Sequence, residues 1–262
     1  MRIKIIFLAI ISIFFIGCTK APITNRYQMI TMQSQEELAL GEKYSKTILR
    51  RSKISDDNNL NEMVRRVGLK ISKVVNKEYH TDNYNWEFHL IKSEKKANAF
   101  CLPGGKVFIY TPIFKYIEND DELATVMGHE IAHALARHGS EKKTSASLAN
   151  LGNGFLNMLD KIGEYDNPTI PLERKWKRKM NKEAIEEWIM LPHSRTQEYE
   201  ADKIGLVLSS KAGFDPKASL SFWKKFSKEK SDKPEYLSTH PSPEHRIKAL
   251  KRIIEEYKKK QD

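Results

Sequence analysis

The sequence predicts an α+β domain, mainly helical, with a small sheet. Three observations predict it. Apolar residues recur at helical spacing, most plainly at Leu60, Val64, Val67, Ile71 and Val74 or Val75. Two short segments, around Phe88 and Phe108, are instead patterned as strands. The 262 residues are 40% hydrophobic and 30% charged, which supports one compact core and excludes a disordered chain, a collagen and a disulfide-stapled mini-protein. The one long apolar run, residues 5–16, is too little for a multi-span membrane protein.

The elements follow in order. Met1-Arg2-Ile3-Lys4 is a short positive start, Ile5 to Ile16 contains Ser12 as its one polar residue, and Gly17-Cys18 follows. This is a secretory signal pattern, too short to span a bilayer comfortably. It resembles a bacterial lipoprotein signal in which Cys18 becomes the lipidated first residue, although Phe15 stands where leucine is usual. That resemblance implies an exported, lipid-anchored chain on the periplasmic side, and Thr19 in place of aspartate favours the outer membrane. With Cys18 carrying lipid, Cys101 has no disulfide partner and reads as a small buried apolar residue. Residues 19–33 read as a polar tether and 34–262 as a single domain.

Ser34 with Glu37 has the pattern of a capping box ahead of a charged helix to about Ile54. Asp56-Asp57-Asn58-Asn59 interrupts it, and a second helix carries the Leu60–Val75 stripe. Residues 86–92 read as a strand, Pro103-Gly104-Gly105 as a turn and 107–110 as a second strand. A helix starts at Asp120 or Asp121 and runs through 129–138. From about 141 to 193 the pattern loosens and includes the basic run 174–179 around Trp176, so 140–193 reads as a variable, solvated segment placed to cover an active site. A regular helix resumes near Thr196 and ends at Gly213, followed by helices over about 216–229 and 243–259. The formal charge of +11 suits an anionic surface or simple solubility, and an exported chain has no routine access to nucleic acid.

Residues 129–133 read His129-Glu130-Ile131-Ala132-His133. Composition alone yields about 0.03 chance matches to this pattern in the chain. Two histidines four apart on a helix lie one above the other, about 6 Å between Cβ atoms, so both imidazoles reach one Zn²⁺. Glu130 lies about 100° around the helix, beside the metal, where it can take a proton from water. A third ligand must come from elsewhere. His138 is a poor candidate, because nine residues after His129 puts it on the opposite helix face. Glu198 and Asp202 are better: four apart, they share a face, and one carboxylate can ligate while the other receives the free ring N–H of a ligand histidine. Small Ala201 between them lets two helices approach.

These motifs resemble the HtpX and CAAX-prenyl-protease type of zinc metallopeptidases, in particular their bacterial lipoprotein and periplasmic branch (BepA- and LoiP-like) and the mitochondrial Oma-type proteases. Asn98-Ala99-Phe100-Cys101-Leu102-Pro103-Gly104-Gly105 is similar to the family's NAFxxPGG segment, with Cys101 where a small apolar residue is more usual. His129–Gly139 is similar to its active-site helix, Ser194-Arg195 with Glu198 and Asp202 to its second ligand helix, and Thr239-His240-Pro241 with Glu244 and Arg246 to its late THPxxExR segment. The resemblance implies a zincin-like fold and one Zn²⁺ per chain held by His129, His133 and Glu198. It implies Glu130 as general base and Asp202 as the partner of a ligand histidine. It also implies His240 near the metal, either stabilising the oxyanion or filling the open coordination position at rest.

Lys106, Val107, Phe108, Ile109 and Tyr110 read as a sheet edge beside the site, to which an extended peptide can add. The expected substrates are unfolded or misassembled envelope polypeptides. A holdase or assembly factor that binds such chains without cutting them, with a latent or structural zinc site, is the competing class, and intact Glu130 argues against it. The sequence leaves the oligomeric state and the cleavage specificity open.

Overall fold

The computed structural model describes residues 18–163, 188, 193–228, 236, 240 and 243–259. The apolar signal segment before Cys18, the basic run 174–179, and Thr239 and Pro241 lie outside the described residues. No helix among the described residues is long and apolar enough to cross a membrane.

The chain opens with a short antiparallel hairpin, β1 (Cys18–Lys20) and β2 (Tyr27–Met29). This corrects the expectation of a tether over 19–33. Ala21, Gln28 and Ile30 are buried, and Arg26 reaches across to Glu141 and Glu200, so the segment is docked on the domain. Helix α1 (Ser34–Arg51) follows, and α2 (Asn58–Tyr79) is capped by the Asp57 side chain. The expected capping box at Ser34 is absent: Gln33 is the N-cap, and Glu37 instead holds Arg137 at 2.5 Å. The predicted stripe on α2 is the buried one, with Val64, Val67, Ile71 and Val75 each at most 1% exposed. Burying each such side chain contributes about 1.5–3 kcal/mol.

Strands β3 (Glu87–Ile91), β4 (Ala99–Leu102) and β5 (Lys106–Tyr110) form one sheet in the order β3-β5-β4. Strand β5 runs parallel to β3 and antiparallel to β4. The β4–β5 turn uses Gly104 and Gly105 at φ +80° and +82°, conformations that side chains resist. The predicted edge is therefore corrected. Lys106, Val107, Phe108, Ile109 and Tyr110 form the central strand, their backbone groups shared between two neighbours. The Lys106 amine is buried and tied to Asn85 O and Glu87 Oε1, both at 2.7 Å. The edge nearest the functional residues is β4.

A 3₁₀ turn, Thr111–Lys115, leads into α3 (Asp120–Leu135), whose N-cap Asn119 accepts from Glu122 N at 3.0 Å. Helix α3 does not run on to 138 as expected. Arg137 adopts a left-handed φ of 57°, its guanidinium held by Glu37 and by Met32 O, and the chain restarts as α4 (His138–Gly163). Thus the first part of the segment expected to be loose is helical. Helix α5 (Arg195–Lys211) begins with a complete capping box, Ser194 and Gln197 exchanging bonds of 3.2 and 3.1 Å. Helices α6 (Ala218–Phe226) and α7 (Pro243–Lys258) complete the described fold.

The most intimate helix pair is α3 against α5. A Cβ on Gly205 would lie 2.7 Å from the Gly128 backbone, and one on Gly128 would lie 2.3 Å from Ser209 Oγ and 2.8 Å from Gly205 O. Gly128 and Gly205, more than the expected Ala201, set the spacing. We expect Gly205→Ala to push the helices apart at a cost of about 2 kcal/mol. The midpoint of thermal unfolding should then fall by roughly 4–8 °C, measured by scanning calorimetry.

Candidate active site

The α3–α5 crossing places the predicted residues face to face. His129 and His133 project from one face of α3, and their Nε2 atoms are 3.0 Å apart. Glu198 projects from the first turn of α5, with its oxygens 3.6 Å from His129 Nε2 and 3.5 Å from His133 Nε2. His240 adds Nδ1, 3.2 Å from His129 Nε2 and 3.1 Å from both Glu198 oxygens. All four residues are buried. A tetrahedral ion with bonds of about 2.1 Å holds its ligand atoms about 3.4 Å apart. The four donors stand at that spacing, so the residues present fit a metal ion. His129, His133 and Glu198 would hold it, with His240 as a fourth available donor.

The supporting shell is built around buried charge. His129 Nδ1 lies 3.1 Å from Asp202 Oδ1, the contact that orients a ligand imidazole. Arg246, on α7, donates to Asp202 through Nε at 2.8 Å and Nη2 at 2.5 Å. Its Nη1 is 3.0 Å from Glu198 Oε2, a charge contact without hydrogen-bond alignment. The guanidinium carbon stacks 3.8 Å from the centroid of Trp223. Burial acts to raise Glu198, yet His240 and Arg246 outweigh it and hold the carboxyl well below its usual range. Asp202 is lowered in the same way, burial opposing and Arg246 prevailing. Burial and the Arg246 charge push His129 down, but the Asp202 and Glu198 carboxylates prevail and lift it to about 9. Burial drives His133 well below its ordinary value.

Glu130 sits beside this cluster. Its carboxyl is raised by burial and accepts a 2.8 Å bond from Tyr236 Oη, while His240 Nε2 is 3.5 Å away. Tyr236 N bonds Ala97 O and His240 N bonds Tyr236 O, so both residues are fixed to the backbone just before β4. The cleft between α3 and β4 is a cavity of about 30 Å³, room for water but not for a peptide. Its walls include Ala99–Pro103, Glu130, His133 and His240, and it is closed by Trp188 and His193. Trp188 packs edge-on to Tyr44 and over Gly139, where an added Cβ would meet its ring at 2.5 Å.

The structure thus brings together His129, Glu130, His133, Glu198, Asp202 and His240. It leaves Lys106–Tyr110 in the sheet centre, and Cys18 is exposed at the start of the hairpin. Cys101 is buried against the cleft, where burial pushes its thiol up, as suits an inert residue. Sequence reasoning missed Tyr236, Trp188 and His193, and it gave Arg246 no role. Arg246 alone had a signal: two acids four apart on a buried face require a nearby cation.

The profile of Peptidase family M48 matches residues 58–254. "Mitochondrial metalloendopeptidase OMA1" of Saccharomyces cerevisiae is 30% identical over 268 residues, covering 93% of this chain and 73% of that protein. "Metalloendopeptidase OMA1, mitochondrial" of Homo sapiens is 38% identical over 176 residues, 65% of this chain and 32% of that protein. "Beta-barrel assembly-enhancing protease" of Escherichia coli is 28% identical over 228 residues, 83% of this chain and 43% of that protein. The chain therefore spans about a third of the human relative and under half of the bacterial one. The match over 58–254 contains every member of the cluster, and the chain belongs to peptidase family M48, the metallopeptidases.

Proposed function

We propose that this protein is a zinc-dependent endopeptidase that cuts extended segments of misfolded or unassembled envelope proteins, from a lipid anchor at Cys18 on the periplasmic side of an outer membrane. The observation that carries the catalytic part is the convergence of His129, His133 and Glu198 with Glu130 alongside. A structural metal site has no use for a buried, otherwise costly carboxylate next to its ligands. The exposed Cys18 at the head of the hairpin and the names of the relatives support the setting and the substrate class.

Zinc, when bound, supplies Lewis acidity: it acidifies water and polarises a scissile carbonyl. The residues do the rest. Glu130, made more basic by burial, takes the proton of the attacking water and returns it to the leaving amine. Tyr236 Oη holds the Glu130 carboxylate in place. Asp202, backed by Arg246, orients His129. The substrate strand is reassigned to Ala99–Leu102: among the described residues β4 pairs with β5 alone, and its residues line the cleft. Backbone pairing there gives weak side-chain selectivity and a preference for unfolded chains.

Of the two roles for His240, its Nδ1 as the fourth donor favours the resting ligand. With Trp188 and His240 both lining a cleft sized for water, this is a closed form of the site.

Three outcomes test this reading. Glu130→Gln should retain stoichiometric zinc and lose casein cleavage by about 10²–10⁴-fold. Equal cutting by the variant and wild type would rule out the enzymatic mechanism in favour of a holdase. His240→Ala should still bind zinc and should cleave casein several-fold faster than wild type; a loss of rate would instead assign His240 to oxyanion stabilisation. Finally, a His129 proton bound up to about pH 9 must leave when metal enters. Zinc affinity should therefore rise with pH from 7 to 9, with about one proton released per ion, read by calorimetry in buffers of different ionisation enthalpy.

A further inference from the structure

His133 turns Nε2 toward the ligand cluster, while its Nδ1 lies 2.8 Å from Nδ1 of His138. His138, at the start of α4, is fully buried, and its own Nε2 lies 2.9 Å from Glu200 Oε2. Glu200 sits on α5 two residues past Glu198. Its carboxylate receives Arg26 Nε at 2.8 Å and the Thr24 hydroxyl. Arg26 is itself held by Glu141 at 2.6 and 2.8 Å. A continuous line of contacts therefore joins the N-terminal hairpin to the far nitrogen of a metal ligand.

We propose that Glu200, acting through His138, is the positioning pair that fixes His133 in the tautomer able to bind metal. Donor and acceptor rules leave one assignment. Glu200, paired with Arg26, is a carboxylate and only accepts. His138 must then carry its proton on Nε2 to donate. The ring is fully buried and its one carboxylate partner is already neutralised by Arg26, so it holds a single proton and its Nδ1 offers only a lone pair. The 2.8 Å contact needs one proton, and it can come only from His133 Nδ1. His133 is left with a bare Nε2 facing the cluster, as a ligand must have. The opposite tautomer would oppose two lone pairs at 2.8 Å and aim an N–H at the metal position. His129 has its carboxylate directly, in Asp202; His133 reaches one through an intervening ring.

His133, His138 and His193 also lie close enough to suggest a second metal. The 2.8 Å Nδ1–Nδ1 distance argues for a hydrogen bond instead, being well short of the roughly 3.4 Å between two ligands of one tetrahedral ion. Because Thr24 and Arg26 belong to the hairpin that begins at Cys18, the docking of the hairpin bears on the quality of the metal site.

This inference rests on the metal-binding reading, and its test separates the two. Imidazole nitrogen shifts of the metal-free full chain, labelled with ¹⁵N-histidine, report tautomers, and competition with a chelating dye reports zinc affinity. Wild type should show His133 as the Nδ1–H form. His138→Leu should populate the Nε2–H form and weaken zinc binding about 10–100-fold. His138→Asn, whose carbonyl can take the Nδ1 proton, should restore most of both. Glu200→Gln keeps the shape of the side chain, frees the His138 tautomer, and should give mixed forms with a several-fold loss of affinity. An unchanged His133 tautomer and affinity within twofold of wild type in Glu200→Gln overturn the proposal, whether or not the leucine variant folds. Zinc binding by wild type with insensitive variants sinks this pair alone. A wild type that binds no zinc sinks the site reading, and the tautomer comparison still decides the pair.

Discussion

Everything in the site depends on how closely α3 and α5 approach at Gly128 and Gly205. The donor atoms of His129, His133 and Glu198 must stand within about 3.4 Å of one another to share an ion, and side chains of this length reach only so far from their helices. With backbone against backbone at the crossing, a glutamate on one helix meets two imidazoles on the other. Ser209 fastens the same crossing by donating to Ala124 O at 2.8 Å. The glycines are thus functional in effect although neither touches a ligand. They trade helix propensity, about 1 kcal/mol each, for distance.

Close approach creates a second problem. It gathers Glu130, Glu198 and Asp202 into a volume from which water is excluded, where like charges repel and desolvation is costly. Arg246 answers it as a fixed cation between Glu198 and Asp202, its flat face covered by Trp223. The proton on His129 is the movable part of the balance. The Asp202 and Glu198 carboxylates favour that proton, and a bound metal ion would have to replace its charge. Glu130 has no such cation beside it, and burial keeps its carboxyl raised.

Periodic and motif-bearing parts of the architecture were legible in the sequence. The α2 stripe, the Gly104-Gly105 turn and the two ligand helices follow from local pattern. Failures occurred where a tertiary partner overrode the local pattern. Glu37 reads as a capping residue, but Arg137 claims it, and that same contact stabilises the left-handed turn that ends α3 early. His138 was placed by helical arithmetic on the wrong face, because nothing local announces a positive φ at an arginine. Residues 106–110 read as an edge because a strand after a Gly-Gly turn shows that it pairs, not which strands lie on its two sides. Tyr236 reaches the site over 106 residues of separation, with no spacing to betray it.

The reassignment of the edge from β5 to β4 changes what must regulate the site. A free strand recognises substrate through backbone groups that every polypeptide has, so such a cleft cannot choose by side chain. Selectivity has to come from access. Three features stand in the cleft: Trp188 in its lining, His240 against His129 and Glu198, and Tyr236 on the Glu130 carboxylate. The last two sit one helical turn apart on a short piece of backbone tied to Ala97, directly ahead of β4. A peptide paired with β4 would lie beside this backbone, so access to the cleft and the positions of Tyr236 and His240 share one anchor at Ala97.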